Sequence, residues 1–350
     1  MATLRQQLLE LVGGLSPSLE RAFLAAIDEI KSEVVLREVV ARLEVRDVEG
    51  AVQSLHIDPA AFQPLSEALR QAYDASGALT SQNMPRLSDP MGARVVFRWD
   101  ISNQGAEANI RNLSSTMITN ITEQTVVAVR QTIVAAYAQG AGPNTIALDL
   151  VGRKSATTGR REGGVLGLNG PQAELIERTR INLLSGDPAL MRKYLTLKTR
   201  DKRLDKAVQR AIAAGKPLDA DTLNKVLMRL RDRNLRLRGE MVARTETLSA
   251  VMSSKHEAFQ QALSKSNRDA SLVTRKWRSA GDRKVRHTHH VLNATEVTGM
   301  DVPFQSPSGA LLRYPGDTSL GAGASEVAGC RCDVEYNFNF AEAFARSRGR

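Results

Sequence analysis

Hydrophobic residues recur at three- and four-residue spacing along most of the chain, which is the period of a helix with one buried face. The two longest such runs predict helices over residues 106–138 and 221–263, and Gly140 ends the first of them. Ser16-Pro17 and Asp58-Pro59 each combine a capping residue with a proline, and each predicts the start of a shorter helix. These patterns predict a chain built mainly from helices.

The pattern changes to alternation near the carboxy-terminal end. Val273 and Trp277 alternate within a short predicted strand, and Asp282 is placed to cap a helix that runs to about Leu292. Apolar residues take every second position from Cys330 to Phe340, which predicts a half-buried antiparallel strand. The predicted fold class is therefore mainly α with a small C-terminal α+β module, combining long central helices with an antiparallel sheet near the carboxy terminus.

The same patterns predict a sequential domain organisation. Residues 76–90 are rich in Ser, Gly, Asn and Pro and are predicted to be a linker. The linker separates an N-terminal helical region, 1–75, from a central helical domain, 91–265, which includes a long basic helix. The α+β module is assigned to 266–340 and a basic tail to 341–350.

Composition narrows the class of protein. Hydrophobic residues make up 42% of the 350 residues and charged residues 25%, which excludes wholesale disorder. The two cysteines are too few for a disulfide framework, the first residues are typical of a helix start rather than a signal peptide, and no apolar run is long enough to span a membrane. Synthesis in a reducing cytoplasm is expected.

The net charge of +10 is concentrated in one stretch, since fifteen Lys or Arg face only five Asp or Glu between Arg192 and Arg238. Such a stretch can neutralise phosphates, meet an acidic protein surface, or form a solvated helix face. Aromatic residues are not interleaved with these charges, so any nucleic-acid binding is predicted to be weak and independent of sequence. The candidate residues are Arg192, Lys193, Lys198, Arg200, Lys202, Arg203, Lys206, Arg210, Arg229, Arg231, Arg233, Arg236 and Arg238.

His289, Cys330 and Cys332 are the candidate metal ligands. Both thiols share one face of the last predicted strand, and His289 is predicted to point toward the core from its helix. The Cα atoms of Cys330 and Cys332 should lie roughly 6.5–7 Å apart, too far for an easy disulfide. Zinc could be held here, with His287 or Asp282 completing a tetrahedral set. The alternative is two buried thiols beside a core histidine, and the C-x-C spacing, unlike the usual C-x₂-C, favours that alternative and no cofactor.

Six short motifs follow one another over about ninety residues. In order they are Ala243-Arg244-Thr245-Glu246, Trp277 to Asp282, Val285-Arg286-His287-Thr288-His289, Pro303-Phe304, Tyr314-Pro315-Gly316-Asp317, and Glu326 to Cys332 with its Cys-Arg-Cys ending. This order and spacing resemble the Mu F-like minor head proteins of tailed bacteriophages, a head morphogenesis family. Residues 97–140 also resemble the helical segment that precedes this domain in that family. The resemblance singles out Arg244, Glu246, Trp277, Asp282, Arg286, His289, Tyr314, Asp317, Cys330 and Cys332 as structural motif residues.

The chain departs from the family pattern at two positions. The family commonly has glycine where this chain has Ala294, so the turn after the histidine helix is expected to differ. It also favours asparagine just before the first cysteine, where this chain has Gly329. Neither departure removes a motif residue.

The resemblance implies a structural minor capsid protein rather than an enzyme. It implies a location inside the virion head at or near the portal vertex, after assembly in the host cytoplasm. The implied partners are the portal protein, the major capsid or scaffolding protein, and packaged DNA bound without sequence preference; no membrane and no small-molecule substrate are implied. A non-specific DNA-binding virion protein is the alternative function.

An enzyme of the ADP-ribosyltransferase type is a further alternative, because arginine and glutamate recur in such sites and some phage-borne toxins carry domains joined to this family. Arg244 and Glu246 are two residues apart on a predicted helix, however, and therefore point in different directions. No second glutamate pair or nucleophile accompanies them. An ion pair of Glu246 or Asp282 with Arg286 is the predicted role of these charges.

Overall fold

The computed structural model describes residues 2–348, and 63% of the chain is helical. The predicted fold class is confirmed. The helices are α1 (Leu4–Glu33), α2 (Leu36–Glu44), α3 (Val48–Gln53), α4 (Gln63–Asn83), α5 (Gln104–Ala138), α6 (Pro143–Val151), α7 (Gly170–Leu184), α8 (Pro188–Thr196), α9 (Asp205–Ala214), α10 (Ala220–Lys265), α11 (His287–Leu292), α12 (Ala324–Val327) and α13 (Phe340–Arg348).

The strands form three small antiparallel sheets. Their bounds are β1 (Arg153–Lys154), β2 (Arg161–Glu162), β3 (Val273–Arg278), β4 (Glu296–Thr298), β5 (Phe304–Gln305), β6 (Leu311–Leu312) and β7 (Asp333–Phe338). The largest sheet has the order β4-β3-β7, and its register pairs Trp277 with Val334. The two predicted carboxy-terminal strands are thus confirmed as β3 and β7, although β7 ends at Phe338 and Phe340 begins a helix.

The two longest predicted helices are confirmed as α5 and α10. Gly140 follows α5 with a φ of +69°, a left-handed conformation that glycine adopts without steric cost. Asp58 also behaves as predicted, since its carboxylate accepts a hydrogen bond from the amide of Ala60 at 2.8 Å. The long hydrophobic runs were therefore sufficient to locate the longest elements.

The prediction at Ser16-Pro17 is wrong, because α1 continues through both residues. Proline inside a helix removes one backbone hydrogen bond, a cost that tertiary packing has to exceed. Leu8, Leu19 and Phe23 lie on either side of the proline and are all fully buried. The Ser16 hydroxyl donates to the carbonyl of Val12 at 2.7 Å instead of capping a new helix.

The chain divides into two units, each assembled from separate segments. The first unit comprises residues 1–20, 65–116 and 240–350, and the second comprises 21–64 and 117–239. The unit boundaries fall within α1, α4, α5 and α10, so the units differ from the sequential organisation predicted from composition, because each unit joins segments that are far apart in sequence.

The predicted linker 76–90 also needs correction, because residues 76–83 belong to α4. The Ser76 hydroxyl is buried and donates to the carbonyl of Val251 at 2.8 Å. A Cβ atom at Gly77 would lie 2.2 Å from the ring of Trp99, so glycine here permits a close helix contact. Small residues in this stretch allow close packing of helices. Composition alone did not distinguish such a packed segment from a flexible linker.

The hydrophobic core of the first unit lies between the α+β module and α10. The module contributes Val273, Trp277, Leu292, Phe304 and Val334 to this core, and α10 contributes Leu248, Val251 and Met252. Among residues 2–348, no helix is both long and apolar enough to cross a membrane.

Charged groups also tie the module to α10. The Lys255 ammonium lies 2.7 Å from Asp333 and donates to the Val334 carbonyl at 2.6 Å. Arg275, fully buried on β3, donates at 2.7 Å to the carbonyls of Gly299 and Arg313. Buried charges in this unit therefore satisfy backbone groups of β7 and of the loops around the sheet.

The predicted basic tail at 341–350 is largely helical. Residues 341–348 belong to α13, Ala343 is buried, and Arg346 donates to the Ser271 hydroxyl at 2.9 Å. Residues 349 and 350 lie outside the described residues. The described part of this segment is thus an ordered element of the first unit.

The two departures from the family pattern have a conformational explanation. Ala294 has a φ of +67° and Gly329 a φ of +62°, both in the left-handed region. The turn after the histidine helix thus keeps the conformation that glycine favours, contrary to the expectation, with alanine bearing the steric cost. Asparagine and glycine both tolerate this region, which accounts for their exchange before Cys330.

Candidate metal centre

Helix α11 places His289 in the core of the first unit, although the helix begins later than predicted. It starts at His287, and Asp282 does not cap it. The Asp282 carboxylate accepts from the Lys284 amide at 2.8 Å and pairs with Arg331 at 2.7 Å. His289 is only 1% exposed and shares its buried face with Leu292. The predicted inward orientation of His289 is confirmed.

The two cysteines precede β7 and are both buried. Gly329 turns the chain just before them, and its amide donates to the Thr245 hydroxyl at 2.9 Å, which anchors the turn to α10. Cys330 and Cys332 are free thiols, as the spacing argument predicted. Alternation along the extended chain directs both sulfur atoms to the same side.

The three side chains converge. His289 Nδ1 lies 3.5 Å from Cys330 Sγ and 3.5 Å from Cys332 Sγ. Their ligand atoms all lie within 4.8 Å of one another. Tetrahedral zinc with Zn–S bonds of about 2.3 Å and Zn–N bonds of about 2.0–2.1 Å places nitrogen and sulfur roughly 3.5 Å apart. Nδ1 therefore lies at the distance from each sulfur that tetrahedral zinc requires.

The other nitrogen of His289 faces Glu326. Nε2 lies 3.0 Å from Glu326 Oε2, although the N–H bond does not point directly at the oxygen. Glu326 is buried on α12 and accepts hydrogen bonds from three hydroxyls, those of Thr288 at 3.2 Å, Ser306 at 3.2 Å and Ser308 at 2.7 Å. A carboxylate behind a ligand histidine is a usual feature of metal sites.

The electrostatics of Glu326 and of the thiols follow from these contacts. Burial acts to raise the pKa of Glu326, but the hydroxyl donors and His289 together lower it below its usual value. A hydrogen bond between the two sulfurs raises the pKa of Cys330 and lowers that of Cys332 to about 5. One sulfur thus tends to be a thiolate while the other keeps its proton.

Trp277 supports this cluster by packing. Its ring is fully buried and lies edge-on to His289, with centroids 5.1 Å apart, and to Phe304, with centroids 5.3 Å apart. Trp277 and His289 thus lie in one core with the buried residues of the last predicted strand, namely Cys330, Cys332, Val334 and Tyr336, whereas Phe340 is half-exposed.

Tyr314 and Asp317 form a buried turn. The Asp317 carboxylate accepts from the amide of Arg313 at 2.9 Å and from the amide of Ser319 at 3.0 Å. A Cβ atom at Gly316 would lie 2.6 Å from the hydroxyl of Ser249 on α10, so this motif glycine allows the turn to approach the helix. These motif residues shape the loop around the core.

The predicted ion pair of Arg286 with Glu246 or Asp282 is wrong. Arg286 donates to the carbonyl of Ala328, and Asp282 pairs with Arg331. Arg244 is exposed whereas Glu246 is partly buried, as expected for positions two residues apart on a helix. Burial raises the pKa of Glu246 to about 7.

Glu326, which lies beside His289, is not among the site residues predicted from the sequence. Its position at the start of the Cys-Arg-Cys motif is the one local signal for it. Its three hydroxyl partners come from α11 and from the β5–β6 hairpin, so only the fold brings them together. His287 is exposed, and neither it nor Asp282 joins His289, Cys330 and Cys332 in the described part of the chain. The prediction that His287 or Asp282 supplies a fourth ligand is therefore wrong.

The basic residues predicted to bind DNA differ in their exposure and in their partners in the second unit. Arg231 and Arg238 are buried and cannot reach a phosphate: Arg231 pairs with Asp149 at 2.9 Å, and Arg238 donates to the Gly167 carbonyl at 2.7 Å. Four others form ion pairs with acids, namely Arg200, Arg203, Arg229 and Arg233. The exposed candidates include Arg192, Lys193, Lys198, Lys202, Lys206, Arg210 and Arg236.

No protein-family model, curated protein or solved structure matches this chain. The resemblance to the Mu F-like family therefore depends on the order and spacing of the motif residues.

Proposed function

We propose that the chain is a structural minor head protein of a tailed bacteriophage or prophage, located at or near the portal vertex. One observation carries the proposal: the Mu F-like motif residues from Trp277 to Cys332 belong to one unit, where they build a packed module around α10. Trp277, Tyr314 and Asp317 serve packing and turn geometry there. Such roles suit a scaffold that presents a surface to other virion proteins.

Co-purification tests this function. The chain is co-expressed with the portal and capsid proteins of the phage or prophage that carries it, and heads and portal oligomers are isolated. We expect the chain in both preparations. A control variant, Val291→Ala, changes an exposed residue of the module and should still be incorporated. Absence of the chain from heads and from portal oligomers would contradict the proposal.

A second function is metal binding, and we propose that His289, Cys330 and Cys332 hold a zinc ion as a structural staple of the module. The equal 3.5 Å separations between Nδ1 and the two sulfurs favour it, and so does the carboxylate behind Nε2. A bound cation would stabilise both thiolates, including that of Cys330, whose pKa is raised when the site holds no metal. The three side chains would supply three of the four ligands that a tetrahedral zinc takes, and their burial limits access of solvent to the site.

Elemental analysis tests metal binding directly. The protein as purified should contain about one zinc per chain, as a mononuclear structural site does. Cys332→Ser should remove the metal, whereas His290→Ala, which changes an exposed neighbour of His289, should retain it. Metal-free protein that also fails to take up zinc in an equilibrium titration would leave two buried thiols beside a histidine as the correct interpretation.

Two basic residues of the second unit, Lys154 and Arg161, favour a contact with DNA, although they are not among the DNA-binding candidates predicted from the sequence. Lys154 lies directly opposite Arg161 in the β1–β2 hairpin, and like charges in that position destabilise a hairpin unless an anion joins them. The hairpin base is tied to α10 because the Gly163 amide donates to Asp232 at 2.7 Å. Exposed Arg236 lies one helical turn further along α10.

Fluorescence anisotropy with unrelated DNA duplexes at two salt concentrations tests this contact. We expect weak binding that falls steeply with salt and does not depend on sequence. Lys154→Glu should reduce the logarithmic salt slope by about 1, as loss of one phosphate contact does. Lys265→Glu makes the same charge reversal in the first unit and should have a smaller effect. Equal effects would argue against a hairpin site.

A further inference from the structure

The segment from Leu87 to Val96 forms a short, largely exposed hairpin in the first unit. The Asp89 amide donates to the Ala93 carbonyl at 2.9 Å, and the Val95 amide donates to the Leu87 carbonyl at 3.0 Å. The Asp89 carboxylate also accepts the Ala93 amide at 2.8 Å. Backbone and side-chain hydrogen bonds together therefore hold this hairpin in a defined conformation.

The hairpin holds two large apolar side chains in solvent. Met91, at its tip, is 91% exposed, and Val96 is 67% exposed. Met91 lies between Pro90, which fixes its own φ, and Gly92, which has a φ of +90° that suits a tight turn. The exposure of Met91 is thus imposed by the turn.

Arg268 connects this hairpin to α13. Its guanidinium donates to the carbonyls of Ser88 and Asp89, both at 2.7 Å, and to the carbonyl of Ala343 on α13 at 3.5 Å. All four residues belong to the first unit. A single half-buried arginine therefore holds the hairpin beside the last helix of the chain.

Helix α13 adds two exposed aromatic side chains next to the hairpin. Phe340 and Phe344 are each about half exposed, and their spacing of four residues places them on one side of the helix. Arg348 extends this row, with its guanidinium 4.4 Å from the centroid of the Phe344 ring. Together with Met91 and Val96, two neighbouring segments thus present four large apolar side chains to solvent.

The charges around these apolar side chains are mainly arginines. The two carboxylates of the segments are engaged, since Asp89 accepts the turn amide and Glu342 contacts Arg346. No lysine occurs in residues 84–98 or 339–348. The exposed arginines of the two segments include Arg86, Arg94, Arg98 and Arg348. The surface is therefore both apolar and positively charged.

We infer that the hairpin and α13 form a docking surface for an acidic segment of a partner protein that carries large apolar side chains. The apolar side chains of the partner would cover Met91, Phe340 and Phe344, and its carboxylates would meet the arginines around them. Aromatic residues, methionine and arginine are enriched at protein–protein interfaces whereas lysine is depleted, and the surface has this composition.

An anionic membrane and single-stranded DNA are the competing occupants, because both carry negative charge. A membrane-bound helix needs a wide apolar face, but part of the apolar side of α13, at Ala343, is already buried in the protein. Single-stranded DNA needs open aromatic faces for base stacking, but the Arg348 guanidinium covers one face of the Phe344 ring. Both features favour a protein partner.

Selection from a library of random peptides tests the chemistry of the partner. The library is first depleted on the double variant Met91→Ser/Phe344→Ser and is then selected on the wild-type chain. Enriched peptides should combine Asp or Glu with large apolar residues. Enrichment of basic peptides, or no enrichment, would overturn the inference.

Fluorescence anisotropy with an enriched peptide measures the contribution of single side chains. Phe344→Ser and Arg94→Glu should each weaken peptide binding about tenfold or more, as loss of a central interface residue does. Val291→Ser and Arg283→Glu are matched controls, because they change an exposed apolar residue and an exposed arginine elsewhere in the first unit. Both controls should bind like wild type. Undiminished binding by Phe344→Ser and Arg94→Glu would contradict the surface.

Two further probes, phosphatidylglycerol vesicles and an oligothymidine, test the competing occupants. Neither should displace the enriched peptide from the wild-type chain. Displacement by the vesicles would assign the surface to a membrane instead, and displacement by the oligothymidine would assign it to a nucleic acid. The chain is tested by itself in these measurements, so their outcome does not depend on whether it is a head protein.

Discussion

Each unit buries a polar cluster, and the two clusters differ in how their charge is balanced. In the second unit, the Asp149 carboxylate is surrounded by arginines, with Arg231 at 2.9 Å, Arg153 at 3.5 Å and Arg180 in direct contact. In the first unit, His289 and Glu326 lie beside two thiols that favour soft metal ions. In the second unit, arginines of the chain itself balance the charge of the carboxylate. The cluster of the first unit is suited to a cation from solution.

This difference separates a structural cluster from a candidate site. Burial acts to raise the pKa of Asp149, but Arg231 and Arg180 outweigh it and lower the pKa to about 2. Among the described residues, no carboxylate pairs with Arg238 of the same unit; burial lowers the pKa of Arg238 to about 10, and its guanidinium donates to the Gly167 carbonyl and the Thr125 hydroxyl. Charge density alone is therefore a poor guide to function, because the most strongly engaged arginines are inside.

The largest expected effect concerns the packing that supports the cluster of the first unit. Trp277→Ala should lower the free energy of unfolding by about 3–5 kcal/mol, because it removes a fully buried ring. Chemical denaturation followed by circular dichroism measures the change. Val291→Ala, on the exposed side of α11, should cost far less. A Trp277→Ala protein with unchanged stability would refute the role of packing.

A smaller loss is expected in the second unit from Arg231→Met, since a buried carboxylate then loses one of its partners. The free energy of unfolding should fall by roughly 1–3 kcal/mol, because Arg153 and Arg180 still pair with Asp149. Arg236→Met changes an exposed arginine of the same helix and is the matched control. The double variant Asp149→Leu/Arg231→Met should recover part of the loss. If Arg231→Met lowers the free energy of unfolding no more than Arg236→Met does, the ion pair of Arg231 with Asp149 contributes nothing to stability.

The pH dependence of the second unit has a defined direction. The pKa of Asp149 in the folded protein, about 2, lies below its ordinary value of 3.8, so the ionised form is stabilised by folding. This stability is complete above pH 4 and is lost as the pH falls toward 2, with a magnitude of roughly 2 kcal/mol. Acid unfolding of wild type and of Asp149→Leu/Arg231→Met should show it as a shallower pH dependence in the double variant. Identical profiles would contradict the assignment.

A second pH effect, of opposite direction, concerns Glu246, whose pKa burial raises to about 7. Folding favours its protonated form, so its stabilising contribution is present below the ordinary value of 4.5 and is lost as the pH rises to 7. Glu246→Gln should therefore raise the melting temperature relative to wild type at pH 8 and change it little at pH 4. Glu240→Gln, exposed on the same helix, should show no such difference. An effect of equal size at both pH values would exclude titration of Glu246.

Several features of the protein were determined by the sequence alone. The long hydrophobic runs located α5 and α10, and strict alternation located β3 and β7, because local periodicity directly reflects which face of an element is buried. The inward direction of His289, Cys330 and Cys332 followed from the same argument. The absence of a disulfide between Cys330 and Cys332 followed from the Cα–Cα distance between alternate residues of an extended strand.

Only the tertiary structure decided which local signals prevail. Helix α1 continues through Pro17 because buried residues on both sides outweigh the lost hydrogen bond, and residues 76–83 are helical because small side chains permit close packing. Burial of Arg231 and Arg238 depends on acceptors from distant segments, such as Asp149 and Gly167. The contact of Glu326 with His289 likewise joins residues far apart in sequence. Such contacts depend on which segments the fold brings together, and no local pattern along the chain encodes them.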